Sequence, residues 1–417
     1  MEIKAVRGFS DILPEETPTW QRVEGEARRV LEGFGFQEIR IPVLERTELF
    51  SRGIGQQTDI VQKEMYTFQD KGGDWVTLRP EATASIARAY IEHRLWVQDP
   101  EARLYFIGPM FRYERPQRGR LRQFHQIDAE IFGPDHPMVD AEIMALLMEI
   151  LERIGLREMR LELNSLGCRN CRGTFRDELR AFLRGHLTEL CPDCQRRSEQ
   201  NPLRTFDCKV PGCIEVMKKA PILEDFLCDA CRSHFEEVKA NLEYLGVAFM
   251  VNPRLVRGLD YYSRTAFEVV VEGLGAQNAV AAGGRYDNLI AELGGPDIPG
   301  IGFAIGMERV MLLISQQPPR PKARLYVAVL GEEARRLGFL WSWHLKRHGV
   351  PVMLEYQDKS LKAQLRRANK LNIPFVLILG EDEIAQKRAL LKDMQKGTQQ
   401  QVPFDQALQI LYEVLNP

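Results

Sequence analysis

Two facing runs of alternating residues constrain the fold of this chain more than any other feature. Residues 102–114 (ARLYFIGPMFRYE) and 122–133 (RQFHQIDAEIFG) read as strands joined by the basic loop RPQRGRL. A connection this short joins antiparallel neighbours, because a parallel pair needs a crossover of a dozen or more residues. A second hairpin is expected within 64–93, turning at Gly72-Gly73 and leading into a helix near Pro80. Around these lie an amphipathic helix over 17–35 that ends at Gly33 and Gly35, a strand-like FQEIRIPVLE whose pairing Pro42 limits, and a long helix over 136–156. Hairpins with helices alongside imply an α+β sheet and exclude a doubly wound one.

The texture changes along the chain. All eight cysteines fall between Cys168 and Cys231, among short charged helices, and strand texture resumes at Leu255. We therefore expect a core over 1–165 and 249–315, an inserted Cys-rich domain over 166–248, and a linker over 316–323 within SQQPPRPKAR. The last domain, 324–417, has apolar strands at 325–330, 351–356 and 374–380 separated by helices, the rhythm of a parallel or mixed α/β unit.

Charge separates the same regions. The whole chain carries a net −2, which excludes a generic polyanion binder. From Arg320 onward, however, 16 Lys and Arg face 10 Asp and Glu, a net of +6, so the rest carries −8. A basic C-terminal unit on an acidic body suits a partner gripped locally. No run approaches the apolar length of a membrane span, and the N-terminus has no apolar signal region, so a cytoplasmic protein is expected.

The hairpin also carries chemistry. Arg112 leaves one strand, the loop holds Arg115, Arg118, Arg120 and Arg122, and the return strand aligns Gln126, Asp128 and Glu130 on one face. Several guanidiniums on a loop suit polyphosphate, and an amide and carboxylates on a rigid strand suit a small polar substrate. RLVRGLDYYSRTAFEVV (254–270) adds two arginines, an aspartate and adjacent tyrosines ahead of a strand, where neighbouring rings are expected on opposite faces.

These segments resemble the motifs of class II aminoacyl-tRNA synthetases. The hairpin resembles motif 2, FGFQEIRIPVLE resembles motif 1, and GIGFAIGMERV resembles motif 3. LRPEATA, RGLDYYSRTAFE and GGRYDNL resemble signatures of the histidyl-tRNA synthetases within that class. The resemblance covers essentially everything outside the cysteine-rich insert. It implies a class II antiparallel-sheet core, a C-terminal anticodon-binding domain and a homodimer through motif 1. The implied activity is ATP-dependent ligation of L-histidine to tRNA(His) through an enzyme-bound adenylate, with magnesium on the phosphates.

The resemblance also assigns roles. Arg112 would bridge the substrate carboxylate and the α-phosphate, Phe124 would stack on adenine, and Arg309 and Arg120 would reach the outer phosphates. Glu81 and Thr83 would take the α-ammonium, and Gln126, Glu130, Tyr261 and Tyr262 would line the amino acid and its imidazole. Arg257 corresponds to a catalytic arginine opposite Arg112, with Asp260 expected to hold it and the tyrosines to close the pocket. His125 is expected to be structural. In the C-terminal domain, Lys359, Lys362, Arg366 and Lys370 are expected on one helix face, suited to phosphate contacts. A related non-catalytic alternative exists, the regulatory subunit of ATP phosphoribosyltransferase, which lacks the C-terminal domain and erodes the catalytic signatures.

The cysteines lie outside these motifs. Cys168, Cys171, Cys191 and Cys194 match the spacing of a four-cysteine zinc site, and Cys208, Cys213, Cys228 and Cys231 form a looser second set. One or two structural zinc ions without a part in the chemistry are expected. Unligated buried thiols, or one site drawing on both sets, are the alternatives.

Overall fold

The computed structural model describes residues 2–56, 58–272, 278–316 and 323–415. Apart from Gln316 and Ala323, the linker expected over 316–323 lies outside them. The chain divides into two compact units, residues 1–317 and 318–417.

The first unit is built on an eight-stranded sheet. Its order is Gln37–Glu38, Arg103–Phe111, Gln123–Phe132, Gly300–Gly306, Ala279–Arg285, Ser263–Val271, Met159–Ser165 and Phe249–Val251. Every internal pairing is antiparallel, and only the short edge strands run parallel to their neighbours. The first edge strand pairs only two residues, and Pro42 follows in the connection beyond it. The chain then enters a separate three-stranded sheet of Leu44–Arg46, Trp75–Leu78 and Tyr66–Gln69, with Gly73 at φ 89° in the turn.

Strand alternation gives the large sheet two unlike faces. Ile127, Ala129 and Ile131, with Phe267 and Val269, join the main core under the helices Thr17–Gly33 and Pro137–Arg153. Phe124, Gln126, Asp128 and Glu130 point to the other face, where they build the site. The insert has its own apolar cluster, drawn from residues between Cys171 and Cys231, and it also reaches the main core. Its last helix, Asp229–Tyr244, sends Phe235, Val238 and Leu242 into the main core. Behind the sheet, Asp140 is fully buried and accepts from Arg285 Nε at 2.7 Å, His234 Nε2 at 2.9 Å and Thr265 Oγ1 at 2.5 Å. That network ties the insert's last helix to the central strands.

The second unit is a five-stranded mixed sheet ordered Val352–Leu354, Leu325–Val329, Phe375–Leu379, Arg388–Asp393 and Gln399–Pro403. The first three strands are parallel, and the last two, not foreseen in the sequence, add antiparallel. One correction concerns the basic stripe. Helix Leu361–Lys370 begins after the cap Ser360, so Lys359 precedes it and reaches Glu355 at 3.4 Å. Arg367 also pairs with Glu355, at 2.8 Å. Burial alone would raise Glu355, but bonds from Tyr326, the Gln357 amide and Arg367 hold its carboxyl down at about 2. Lys362, Arg366 and Lys370 remain exposed. Among the described residues, no helix is long and apolar enough to cross a membrane.

Candidate active site

A cavity of about 290 Å³ opens on the polar face of the large sheet, and a second of about 570 Å³ adjoins it. Strand Gln123–Phe132 supplies Phe124, Gln126 and Asp128 to the first cavity at every second position. Facing it, Gly302 sits opposite Glu130 in the sheet register, where a Cβ would overlap the Glu130 carboxylate. Only glycine leaves room there, which accounts for Gly302 within GIGFAIG.

Arg79 shapes the wall that carries Glu81. Its guanidinium donates to the carbonyls of Ile41, Pro42 and Pro109, tying the loop ahead of helix Thr83–Glu92 to strand Arg103–Phe111 and to the connection before Leu44–Arg46. Glu81 itself accepts from the Ala84 amide at 2.9 Å, and its other oxygen lies 3.4 Å from the Tyr261 hydroxyl. Arg112 donates to the Pro80 carbonyl at 2.8 Å, and its guanidinium carbon lies 5.2 Å from the Phe124 ring centroid. Arg309 is anchored on the Ala279 carbonyl, and Arg120 pairs with Glu114.

Of the residues expected at the site, ten line the first cavity: Glu81, Thr83, Arg112, Arg120, Phe124, Gln126, Arg257, Tyr261, Tyr262 and Arg309. Glu130 sits just behind that wall. Its carboxylate accepts from Thr83 Oγ1 at 2.6 Å and from the Tyr286 hydroxyl. His125 points away, against Trp20 and Glu308, as strand alternation implies.

Three expectations need correction. The segment Arg254–Tyr262 is loop, and the strand starts at Ser263, so Tyr261 and Tyr262 both face the cavity with ring centroids 4.7 Å apart. Asp260 does not hold Arg257. Glu268, on the adjoining strand, does so at 3.3 Å, and Asp260 accepts from Asn201 at 3.2 Å. The cysteines gather as Cys168, Cys171, Cys228 and Cys231, and as Cys191, Cys194, Cys208 and Cys213. Spacing along the chain had joined the first two pairs instead.

Asp128 and Tyr286 are cavity residues that were not assigned from sequence. Asp128 shared a face with Gln126 and Glu130, which was the available signal. Tyr286 lay in GGRYDNL, where the glycines drew the reading.

The electrostatics are lopsided. Burial, then Glu130 and Glu81, pushes the Asp128 carboxyl well above its usual range, and burial likewise raises Glu81. Glu130 is pushed up to about 8, by burial first, against the lowering effect of its Thr83 and Tyr286 bonds. Four arginines, Arg112, Arg120, Arg257 and Arg309, line both cavities, whereas Glu81, Gln126, Asp128 and the tyrosines line only the first. Gln126 Oε1, Asp128 Oδ2 and Arg257 Nε are buried without a hydrogen-bond partner. Three orphaned polar atoms around one cavity are costly unless a ligand satisfies them. The arrangement can hold a zwitterion by both its charges and a polyanion beside it.

The raised Glu130 gives a stability prediction. Its folded value lies above the unfolded one near 4.5, so its contribution is complete below about pH 4.5 and is lost as pH rises through about 8. Glu130→Gln should flatten the fall in Tm between those values. An unchanged slope in a Tm–pH series would refute the assignment.

Comparison with known proteins agrees with this chemistry. The family model described as histidyl-tRNA synthetase matches residues 8–310, and one described as an anticodon binding domain matches residues 325–413. The histidine--tRNA ligase of Geobacter metallireducens is 54% identical over 403 residues, covering 97% of this chain and 98% of its own. That of Syntrophotalea carbinolica is 51% identical over 416 residues, 99% of each chain. Among solved structures, apo S. aureus histidyl-tRNA synthetase matches with a TM-score of 0.81 at 33% identity, over 98% of this chain and 99% of its own. A Bacillus halodurans chain described as an ATP phosphoribosyltransferase regulatory subunit/histidyl-tRNA synthetase matches at TM-score 0.68 and 20% identity, over 91% of this chain and 99% of its own, a likeness of fold alone.

Proposed function

The chain belongs to the histidyl-tRNA synthetase family, and from that premise we propose how its site divides the work of joining histidine to tRNA. Two steps make up the ligation. A histidine carboxylate oxygen attacks the α-phosphorus of ATP, the bond to the bridging oxygen breaks, and pyrophosphate leaves. A terminal ribose hydroxyl of the tRNA then attacks the adenylate carbonyl and expels AMP.

The observation that carries the assignment of residues is the separation of charge between the two cavities. Glu81 takes the α-ammonium with Thr83 and the Tyr261 hydroxyl nearby. Arg112 meets the carboxylate and α-phosphate, Phe124 packs on adenine, and Arg120 and Arg309 neutralise the outer phosphates. The imidazole faces Gln126 and Tyr262, with Glu130 acting from behind through Thr83 and Tyr286. Asp128, with an unpaired buried oxygen, is the carboxyl we add to that end. A side chain without ring nitrogens would leave these groups unpaired, which discriminates by roughly 10⁴ or more.

Arg257 sits where negative charge grows on phosphorus, and a fixed guanidinium there stabilises the transition state over the ground state. No side chain need form a covalent intermediate, because alignment and charge neutralisation lower the barrier. Magnesium fits carboxylates interleaved with the arginines of the second cavity, among them Glu64, Glu114 and Glu268, and when bound it would neutralise the departing pyrophosphate. Zinc is the ion we place on the cysteines. Eight free thiols suit a reducing compartment, so we place the protein in the cytoplasm.

ATP–pyrophosphate exchange tests the function. It should depend on histidine and on no other amino acid. The regulatory-subunit alternative requires no exchange, and the presence of Arg257 and of the domain over 325–413 weighs against it. We also propose a homodimer through the motif 1 region, where Val43, Leu44, Phe68 and Trp75 are exposed apolar groups on or beside one small sheet. Sedimentation should give twice the chain mass, and a monomer at working concentration would contradict it.

A further inference from the structure

We infer that the insert holds two zinc ions on two nested sets of four thiolates, and that these clamps position the loop carrying Arg257. The second half rests on reading Arg257 as the catalytic arginine.

The sulfur geometry supports the metal. Within each set all four sulfurs lie within 4.8 Å of one another. Cys168 and Cys171 Sγ are 3.6 Å apart, and Cys191 and Cys208 Sγ 3.9 Å. These separations far exceed a disulfide bond of about 2.05 Å. They bracket the edge of a tetrahedron with metal–sulfur bonds of about 2.3 Å, which is about 3.8 Å. Main-chain donors bridge the two halves of each set. The Cys228 amide donates to Cys171 Sγ, and the Cys191 amide to Cys213 Sγ, both at 3.2 Å.

The folding of the segment explains the pairing. Cys168 and Cys228 cap the helices Arg169–Gly185 and Asp229–Tyr244, whose starts meet although 57 residues separate Cys171 from Cys228. The first site thus closes the insert at its two ends, and the second, between Cys191 and Cys213, lies inside that closure. Four protein ligands leave no open position, so neither ion does chemistry itself.

What the sites hold in place is the loop Arg254–Tyr262. Arg172, next to Cys171, donates to the Tyr262 carbonyl at 2.8 Å. Asn201 and Arg204, between Cys194 and Cys208, reach Asp260 Oδ1 at 3.2 Å and the Arg257 carbonyl at 3.3 Å. Arg254 Nε donates to the Met217 carbonyl at 3.1 Å, at the end of the helix that carries Cys213. Every one of these partners sits a few residues from a cysteine. Zinc binding in a segment of short helices is folding free energy, so losing it loosens all four anchors together.

Metal analysis of protein purified without chelator should give two zinc ions per chain. Fewer than two, or iron instead, would overturn the sites. Pairing is read from double variants. Cys171→Ser with Cys231→Ser should lose one zinc, and Cys171→Ser with Cys194→Ser should lose both. The reverse pattern would overturn the nested pairing. The coupling is tested with all cysteines intact. Arg204→Ala should keep both zinc ions while kcat for adenylation falls roughly ten- to a hundredfold and KM for histidine changes little, the signature of a displaced catalytic group. Two zinc ions with an unchanged kcat would overturn the positioning role but leave the zinc sites and the Arg257 assignment standing.

Discussion

Arg257→Ala is expected to abolish most adenylate formation, by at least about 10², while histidine binding largely survives. That is the scale for losing one preorganised charge donor at a developing anion. The side chain lines both cavities, at the junction between the zwitterion end and the polyphosphate end. Glu268 holds one terminal nitrogen at 3.3 Å, and the Tyr262 ring centroid lies 5.5 Å from the guanidinium carbon. Its Nε stays buried without a partner. A guanidinium fixed by others but with an unused donor is arranged for a charge that arrives with the substrates. Histidine recognition would persist because the groups proposed for the ammonium, Glu81, Thr83 and Tyr261, lie on the first cavity and do not rely on Arg257. Arg257→Lys should rescue poorly, since an ammonium cannot keep the Glu268 contact and the planar donor set at once. Single-turnover adenylation beside a histidine Kd separates the two effects. Adenylation at the wild-type rate in the alanine variant would remove Arg257 from the mechanism.

Much of the catalytic sheet was legible because its signal is local. The period of two in 102–114 and 122–133 puts Gln126 and Glu130 on the same face, and Gly73 marks the turn of the small hairpin. What failed was long-range or conditional on conformation. Asp260 is three residues from Arg257 and was the natural partner, but the strand after the loop brings Glu268 to the guanidinium instead. Tyr261 and Tyr262 share a cavity because their backbone is loop, where alternation has no force. The cysteine sets failed for a related reason. Spacing within the chain cannot tell which pair meets which, and here the ends of the insert close on each other. Strands 388–393 and 399–403, the second of them the sheet edge, carry mixed polar residues, so neither composition nor period announced them.

Removing residues 322–417 should leave adenylate formation near normal and cripple charging of tRNA. The cut severs no core. The apolar clusters of the second unit are drawn wholly from residues 323–415, and those of the first end at Ile314. Nothing in the candidate site comes from the second unit. What the truncation removes is the match to an anticodon-binding domain and a net charge of +5. Exposed Lys362, Arg366 and Lys370 offer that charge along one helix, whereas Lys359 and Arg367 are already committed to Glu355. Each phosphate neutralised by such a group releases counterions, so tRNA affinity in the full chain should fall steeply with salt. Neutralising Lys362 and Arg366 together should flatten that slope by about 1.5 if both touch phosphate. The truncated protein, assayed at the same salt, should charge tRNA at least about 10²-fold more slowly at subsaturating tRNA while its pyrophosphate exchange persists. Charging at the full-length rate would show that the second unit does not grip the tRNA. Loss of exchange as well would mean that the first unit depends on the second for its own site.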